Sequence, residues 1–465
     1  MNRIIYKSLA IVTIALTLTA CAGRKAYERP QAIDEKLFRT ESPATDAQSD
    51  ATLSWRNIFT DPLLQQHISK ALSNNLDVRV AMQNVVSAQA YLKQSKAAFI
   101  PTLSVGANYT RSTSSLNAGG GAPDRTYNNL FDITGNASWE ADIWGKLSAQ
   151  KRASYASYLA TLEAQKAVQS EVVATLATAY YQLLMLDEQK KVLEQTIEFR
   201  TKSLETTKQL KKAGSTTEVA TKQIEALVYN AQAQLITINN SVWALENTIC
   251  VLLGEEPHNI ERSTLAEQQF PTQFRQGYAV SLLENRPDVA RAELNLRNAF
   301  ELTNVARSNF YPTLTLSARG GISSTELDTW FSAKSMFANF IAGLAQPILN
   351  RRQIRTQYEV QKAAQETALL NFKKAILSAG KEVSDAMRQF SSQNEFIQLK
   401  TQEMKAYQEA TDYSKQLFDS GMVNYLEVIT AEVNRLNAEL SVAESQFTCM
   451  QYGITLYKAL GGGWR

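Results

Sequence analysis

The chain is written twice, and this constrains its fold more than any other feature. Phe99-Ile100-Pro101-Thr102-Leu103-Ser104 recurs as Phe310-Tyr311-Pro312-Thr313-Leu314-Thr315, an offset of 211 residues. The same offset pairs Asn74 with Asn285, Asp77 with Asp288, Ala81 with Ala292 and Asn84 with Asn295. A second offset, 207, takes Leu210 and Gly214 to Leu417 and Gly421, Glu225 to Glu432, and Leu253-Gly254 to Leu460-Gly461. At 465 residues the chain could hold two or more unrelated domains of about 100–200 residues. Two registers that persist over tens of residues make it one duplicated unit instead, spanning roughly 60–254 and 277–461.

Each copy spells the same order of elements. Leu72, Leu76, Val80, Val85, Ala88 and Leu92 fall at helical spacing, which predicts a helix over 61–99. Asp61-Pro62 starts it, and Pro101 ends it because the residue before a proline avoids the helical region. Two alternating stretches follow. Leu103, Val105, Ala107 and Tyr109 interleave with polar residues, as do Phe131, Ile133, Ala137 and Trp139, which predicts two strands with one apolar face. Ser112 to Asn129, rich in Gly, Ser and Asn, reads as the loop between them. In the second copy Pro312 leads into Leu314, Leu316 and Ala318, while the stretch from Phe337 to Ile348 alternates less cleanly.

A very long helix comes next. From Lys146 to Lys212 there is neither proline nor glycine, and Val172, Leu176, Ala179, Leu183, Leu186, Leu193, Ile197 and Leu204 form a heptad seam. At 1.5 Å per residue such a helix would run roughly 100 Å. Gly214 breaks it, and a return helix follows from Thr217 to Leu253. The second copy runs from Gln353 to Ser420, turns at Gly421 and returns to Leu460. The expected fold is mainly α with a small β part, arranged as a signal peptide over 1–20, a linker over 21–54, and repeat units over 55–276 and 277–465.

The N-terminus gives an address. Arg3 and Lys7 precede an apolar stretch from Leu9 to Leu18, too short for an anchor helix and fit for an export signal. Leu18-Thr19-Ala20-Cys21 resembles a bacterial lipobox, which implies cleavage before Cys21 and lipid attached to it. Ala22 and Gly23 lack the aspartate that retains lipoproteins at the inner membrane, so the outer membrane is expected. The remaining cysteines, Cys250 and Cys449, lie in helical stretches beside apolar neighbours and read as small hydrophobes rather than a disulfide framework.

Several function classes find no footing. A net charge of +3 is too mild for a nucleic-acid partner. The two histidines, His67 and His258, have no metal-ligand spacing around them. No nucleophile elbow, P-loop or dinucleotide fingerprint occurs. The glycine clusters at 119–121 and 461–463 precede no helix that could bind phosphate. No enzyme, metal or cofactor is expected beyond the covalent lipid.

A channel is favoured by closure. Strands of about 9–11 residues with one apolar and one polar face suit a membrane barrel, whose edges must be paired in lipid. Four strands cannot close, because the smallest such barrels use about eight. Several chains must therefore contribute. Three would give twelve strands, and closure alone leaves a dimer open as well. The competing reading is a periplasmic scaffold whose four strands form a soluble sheet, its apolar face covering helices.

The residues also resemble a known family. Trp55-Arg56-Asn57-Ile58-Phe59-Thr60-Asp61-Pro62-Leu63, Arg286-Pro287-Asp288-Val289, the two Phe-x-Pro-Thr-Leu segments and the Ala459-Leu460-Gly461-Gly462-Gly463-Trp464 ending are similar to those of TolC-like outer-membrane factors, in the lipoprotein branch serving RND multidrug efflux pumps. The resemblance implies a homotrimer in which a twelve-stranded barrel continues into a twelve-helix periplasmic tunnel. It implies docking to a periplasmic adaptor protein and an inner-membrane RND transporter near the turns at Gly214 and Gly421. It implies passive conduction, with a type I protein-secretion duct as the alternative use of the same architecture. It places a periplasmic constriction just after the turns, with Leu426 at an apolar constriction position and Glu427 at a ring-acid position. Thr430 departs from the pattern, since many relatives carry a second acid there.

Overall fold

Each helix starts and stops where the chemistry of the backbone changes. The computed structural model describes residues 26–30, 54–113, 115, 125, 127–268 and 285–464. The expected signal peptide, Cys21 and most of the linker lie outside them. In order, the elements are α1 (Trp55–Ile58), α2 (Pro62–Asn74), α3 (Leu76–Ala97), β1 (Thr102–Thr113), β2 (Tyr127–Ala141), α4 (Lys146–Lys212) and α5 (Glu218–Leu253). The second copy supplies α6 (Pro287–Ser308), β3 (Thr313–Ser324), β4 (Met336–Ala345), α7 (Gln353–Asp419) and α8 (Tyr425–Ala459).

The duplication survives folding in detail. α3 and α6 each have 22 residues, β1 and β3 each have 12, and α4 and α7 each have 67. The ends are also equivalent. Asn75 Nδ2 donates to the Leu252 carbonyl at 2.9 Å, and Arg286, its counterpart at the 211 offset, donates from Nη1 to the Ala459 carbonyl at 2.8 Å. Gly254 and Gly461 close the return helices with φ of 71° and 93°. A Cβ at either would press on a backbone carbonyl, that of Asn74 at 2.8 Å or of Asn285 at 3.0 Å. Glycine is required there both by the left-handed backbone and by the close approach.

The helix expected over 61–99 is in fact two helices. Asn75 interrupts it, its Oδ1 accepting from the Asp77 and Val78 amides at 2.9 and 3.1 Å as the N-cap of α3. The interruption resets the apolar phase. Val78, Ala81, Val85 and Leu92 are buried, while Leu76 and Val80, which continued the pattern on paper, are exposed. Both strand ends reach into the loop expected from Ser112 to Asn129, and β4 stops at Ala345, short of Ile348.

The chain forms two compact units, and each draws on both repeats. Of the described residues, the first comprises those within 26–30, 86–160 and 293–371. Its four strands make one antiparallel sheet in the order β1-β2-β3-β4, so the two hairpins of the two copies pair side by side through β2 and β3. Around the sheet's helices, Arg152 grips Glu301 with two bonds of 2.6 and 2.7 Å, and Asn298 Nδ2 donates to the Ala153 carbonyl at 2.8 Å. The Asp142 carboxylate caps α4, accepting from the Leu147 and Ser148 amides at 2.8 and 2.9 Å. The described fragment of the linker, 26–30, has no regular structure and lies on α6. Tyr27 meets Phe300 edge-on at 5.7 Å, and Arg29 pairs with Glu293 at 3.0 Å.

Of the described residues, the second unit comprises those within 54–85, 161–292 and 372–464 and contains the two helical hairpins. Its core is the heptad seam. Leu176, Tyr180, Tyr181, Leu183 and Leu193 are fully buried, with Phe372, Ile376, Val383 and Phe390 the counterpart on α7. Asp61, the N-cap of α2, also anchors this core. Its carboxylate accepts from the Tyr180 hydroxyl at 2.8 Å, from Gln268 Nε2 at 3.1 Å and from the Ser263 hydroxyl. Burial pushes the Asp61 carboxyl up, but these donors outweigh it and hold the group below its ordinary value. The same burial drives the Tyr180 hydroxyl up to about 12.

Candidate functional site

Two surfaces carry the features from which function can be read, and they belong to different units. The first is the sheet. Its register brings one side chain from every strand into line: Tyr109 opposite Phe131, Ile133 opposite Ile322, Ala318 opposite Phe340, and Leu314 opposite Leu344. This face is apolar from edge to edge, and it is open. Leu103 is 76% exposed and Phe340 is 72% exposed. A soluble sheet would cover such a face with helices, as the scaffold reading requires, and no helix among the described residues does so. A contiguous exposed apolar surface of this kind marks an interaction with membrane or protein. The edge strands β1 and β4 are each hydrogen-bonded on one side only, so each carries a row of open backbone groups. Pro101 and Pro312 stand immediately before β1 and β3, and the preceding helices end at Ala97 and Ser308.

The second surface is the pair of hairpin turns. Gly214 and Gly421 adopt φ of 77° and 71° with open space around each, so only the left-handed backbone demands glycine. The bonds around them match. Ser215 N donates to the Leu210 carbonyl, and Met422 N donates to the Leu417 carbonyl, both at 2.9 Å. Each return helix has its own cap: the Thr217 hydroxyl accepts from the Ala220 amide at 3.3 Å, and Asn424 Oδ1 accepts from the Leu426 and Glu427 amides at 2.9 and 3.3 Å. Leu426 and Glu427 therefore lie in the first turn of α8, and both side chains are exposed on the single chain. Thr430 is exposed as well, its hydroxyl donating back to the Leu426 carbonyl at 2.9 Å.

Near these turns the structure brings together residues that the sequence reading did not assign. Glu432 is only 4% exposed. Lys415 Nζ and Arg435 Nη2 each approach its Oε1 at 3.4 Å. Arg200, from the other hairpin, is buried and donates from Nη1 to the Leu227 carbonyl at 3.0 Å. Burial lowers the Arg200 pKa, while the Glu432 charge opposes that shift. Leu204, Ile224 and Val228 of the first hairpin pack against Tyr425 and Ile429 of the second. Burial raises the Tyr425 hydroxyl, and Glu432 adds to this, against hydrogen bonds with Ser203 and Thr207. The two hairpins are thus joined at this level by an apolar plug, and the Glu432 charge, paired with Lys415 and Arg435 of its own hairpin, acts at range on Arg200 of the other. The Glu225–Glu432 repeat pair was the only sequence signal, and it carried no information about burial.

Among the described residues no group of His, Cys, Asp and Glu could hold a metal ion, and no helix is long and apolar enough to cross a membrane. Cys250 is buried and Cys449 half-buried, and both are free thiols.

Known proteins match this arrangement along its whole length. The family model described as Outer membrane efflux protein matches residues 67–255 and 279–462, two segments that follow the two repeats. The probable outer membrane lipoprotein SilC of Salmonella typhimurium is 27% identical over 463 residues, covering 98% of this chain and 99% of its own. The solvent efflux pump outer membrane protein SrpC of Pseudomonas putida is 28% identical over 474 residues, covering 99% and 98%. Among solved structures, the channel-forming protein CusC superposes with a TM-score of 0.86 at 25% identity, over 94% of this chain and 99% of that one. The family model's match to both repeats, over more than half of the chain, shows that this chain belongs to the Outer membrane efflux protein family, as a non-enzymatic transport component of the outer membrane.

Proposed function

We propose that three copies of this chain assemble into one duct, and that the duct is the outer-membrane exit of a tripartite RND-type efflux pump for drugs or other small molecules. The observation that supports this most directly is the open apolar face of a sheet with two unpaired edges. Lipid can solvate such a face, but it leaves unpaired backbone groups unsatisfied at several kcal/mol each. Pairing β4 of one copy with β1 of the next satisfies both edges, and three copies of a four-stranded sheet make twelve strands. The polar faces then line an aqueous lumen. Relatives described as a solvent efflux pump protein and a cation efflux system protein support export of small solutes.

In the second unit, Leu426 and Glu427 are proposed to face the threefold axis and narrow the periplasmic opening. Three Glu427 carboxylates brought together would attract cations. A periplasmic adaptor protein would dock along the hairpins beside Gly214 and Gly421 and carry the energy of the inner-membrane transporter to the tip. Lipid on Cys21 would tether each copy to the outer membrane.

The decisive measurement is the symmetry of detergent-purified particles by electron microscopy. Threefold particles are expected, and monomers with no pore would overturn the proposal. Palmitate labelling should disappear in Cys21→Ser, and persistent labelling would remove the lipid assignment.

A further inference from the structure

The polar face of the sheet is nearly free of charge. Among the described strand residues on that face, only Asp132, Glu140 and Arg319 ionise. Glu140 is matched by Lys146 at 2.9 Å, at the helix end of β2. The other two lie towards the loop end and meet across strands. Arg319 Nη2 stands 3.7 Å from Asp132 Oδ1 on β2, and its guanidinium lies over the Phe337 ring of β4, 5.7 Å from the centroid. Gly321, which has no side chain to fill the place between them, is opposite both Thr134 and Phe337. The two charges are unequally presented: Asp132 is 11% exposed and Arg319 54%. At 3.7 Å the pair is too long for hydrogen bonds, so the carboxylate steadies the guanidinium without using up its donors.

We propose that Arg319 and Phe337 form a solute subsite on the lumen face that takes organic anions with a flat apolar body. The guanidinium receives the anionic group through charge-assisted bonds, and the ring receives the body. Asp132 is a positioning residue that also weakens the subsite by its own charge. This inference rests on the lumen assigned to the polar face under Proposed function.

The test records current through the assembled protein in planar bilayers, with the tip loosened by Glu432→Gln in every chain. Naphthalene-2-sulfonate is added from the loop side. It should block the current, and Arg319→Gln should weaken the block by roughly tenfold or more, as the loss of a charged hydrogen bond predicts. Arg319→Lys should keep part of the block, Phe337→Ala should weaken it several-fold, and Asp132→Asn should strengthen it. Equal block in the parent and Arg319→Gln chains, or equal block by neutral 2-naphthalenemethanol, would overturn the subsite while leaving the pore intact. A complete lack of current in the loosened parent would instead overturn the pore, and the subsite with it.

Discussion

Glu225 and Glu432 occupy the same place in the two repeats, one on each return helix, eleven residues after its turn glycine. Glu225 pairs with Lys222 at 2.6 Å near the surface of its own helix. Glu432 is buried and is approached by Lys415 and Arg435, within reach of the Arg200 charge from the neighbouring hairpin. The turns that precede them are alike in backbone and hydrogen bonding. Duplication therefore fixes the geometry of a hairpin, whereas the role of a given side chain depends on which hairpin lies against it. The first tip presents Val219 and Ala220 where the second presents Leu426 and Glu427, so the ring acid proposed here belongs to one repeat only.

The comparison breaks most visibly at the two glutamates. Glu432→Gln should destabilise the tip by about 2 kcal/mol, because Lys415 and Arg435 lose a buried counter-charge and Arg200 a nearby one. Hydrogen exchange of the α7–α8 turn would accelerate about thirtyfold. Glu225→Gln should leave the same readout unchanged, as surface pairs contribute little. Equal effects at both positions would mean that burial does not distinguish them.

The turn glycines should instead behave identically. Gly214→Ala and Gly421→Ala each place a Cβ in a left-handed backbone with no other clash, which costs roughly 1–2 kcal/mol. Matching losses in thermal unfolding are expected, and a loss at only one turn would show that the tips differ in backbone as well as in chemistry.

Asn75 and Arg286 sharpen the comparison through pH. Arg286 holds Asp288 with bonds of 3.0 and 2.8 Å, and although burial pushes the Asp288 carboxyl up, this pairing outweighs it and keeps the group below its ordinary value. A depressed carboxyl stabilises the fold fully above its unfolded pKa, about 3.9, and that contribution fades as pH falls through the lower folded value. Thermal melts between pH 5 and 2 should therefore show an acid-dependent loss that is reduced in Arg286→Asn. An unchanged acid profile would refute the linkage.

The smallest effect is expected at the start of the long helices. Gly145 precedes α4 with φ of 74°, and its counterpart at the 207 offset, Arg352, holds φ of 68° before α7. Arg352→Gly should gain at most about 1 kcal/mol by relieving the left-handed backbone, less what is lost with the surface pair to Glu359. A clear destabilisation in chemical denaturation would show that the pair matters more than the strain.

Much of this architecture was legible from residues alone, because local chemistry sets it. Pro101 and Pro312 end helices and lead into strands through sterics that act between neighbours. Gly214 and Gly421 end the long helices because only a residue without Cβ adopts that backbone cheaply. The missed break at Asn75 was also local, a capping side chain hidden in an apolar pattern that continued past it. The strands were found by alternation but their ends were not, since pairing with β2 and β3 extends them beyond the clean pattern.

The sequence by itself determined the duplication, the element order and the hairpin turns, because each depends on contacts between residues close along the chain or on a repeat visible by counting. Only the tertiary structure decided that β2 pairs with β3 across the two copies, that Glu432 is buried while Glu225 is not, and that Arg319 leans between Asp132 and Phe337. Each of these joins residues far apart in the chain, and burial and pairing at such distances follow from packing, which no local pattern encodes.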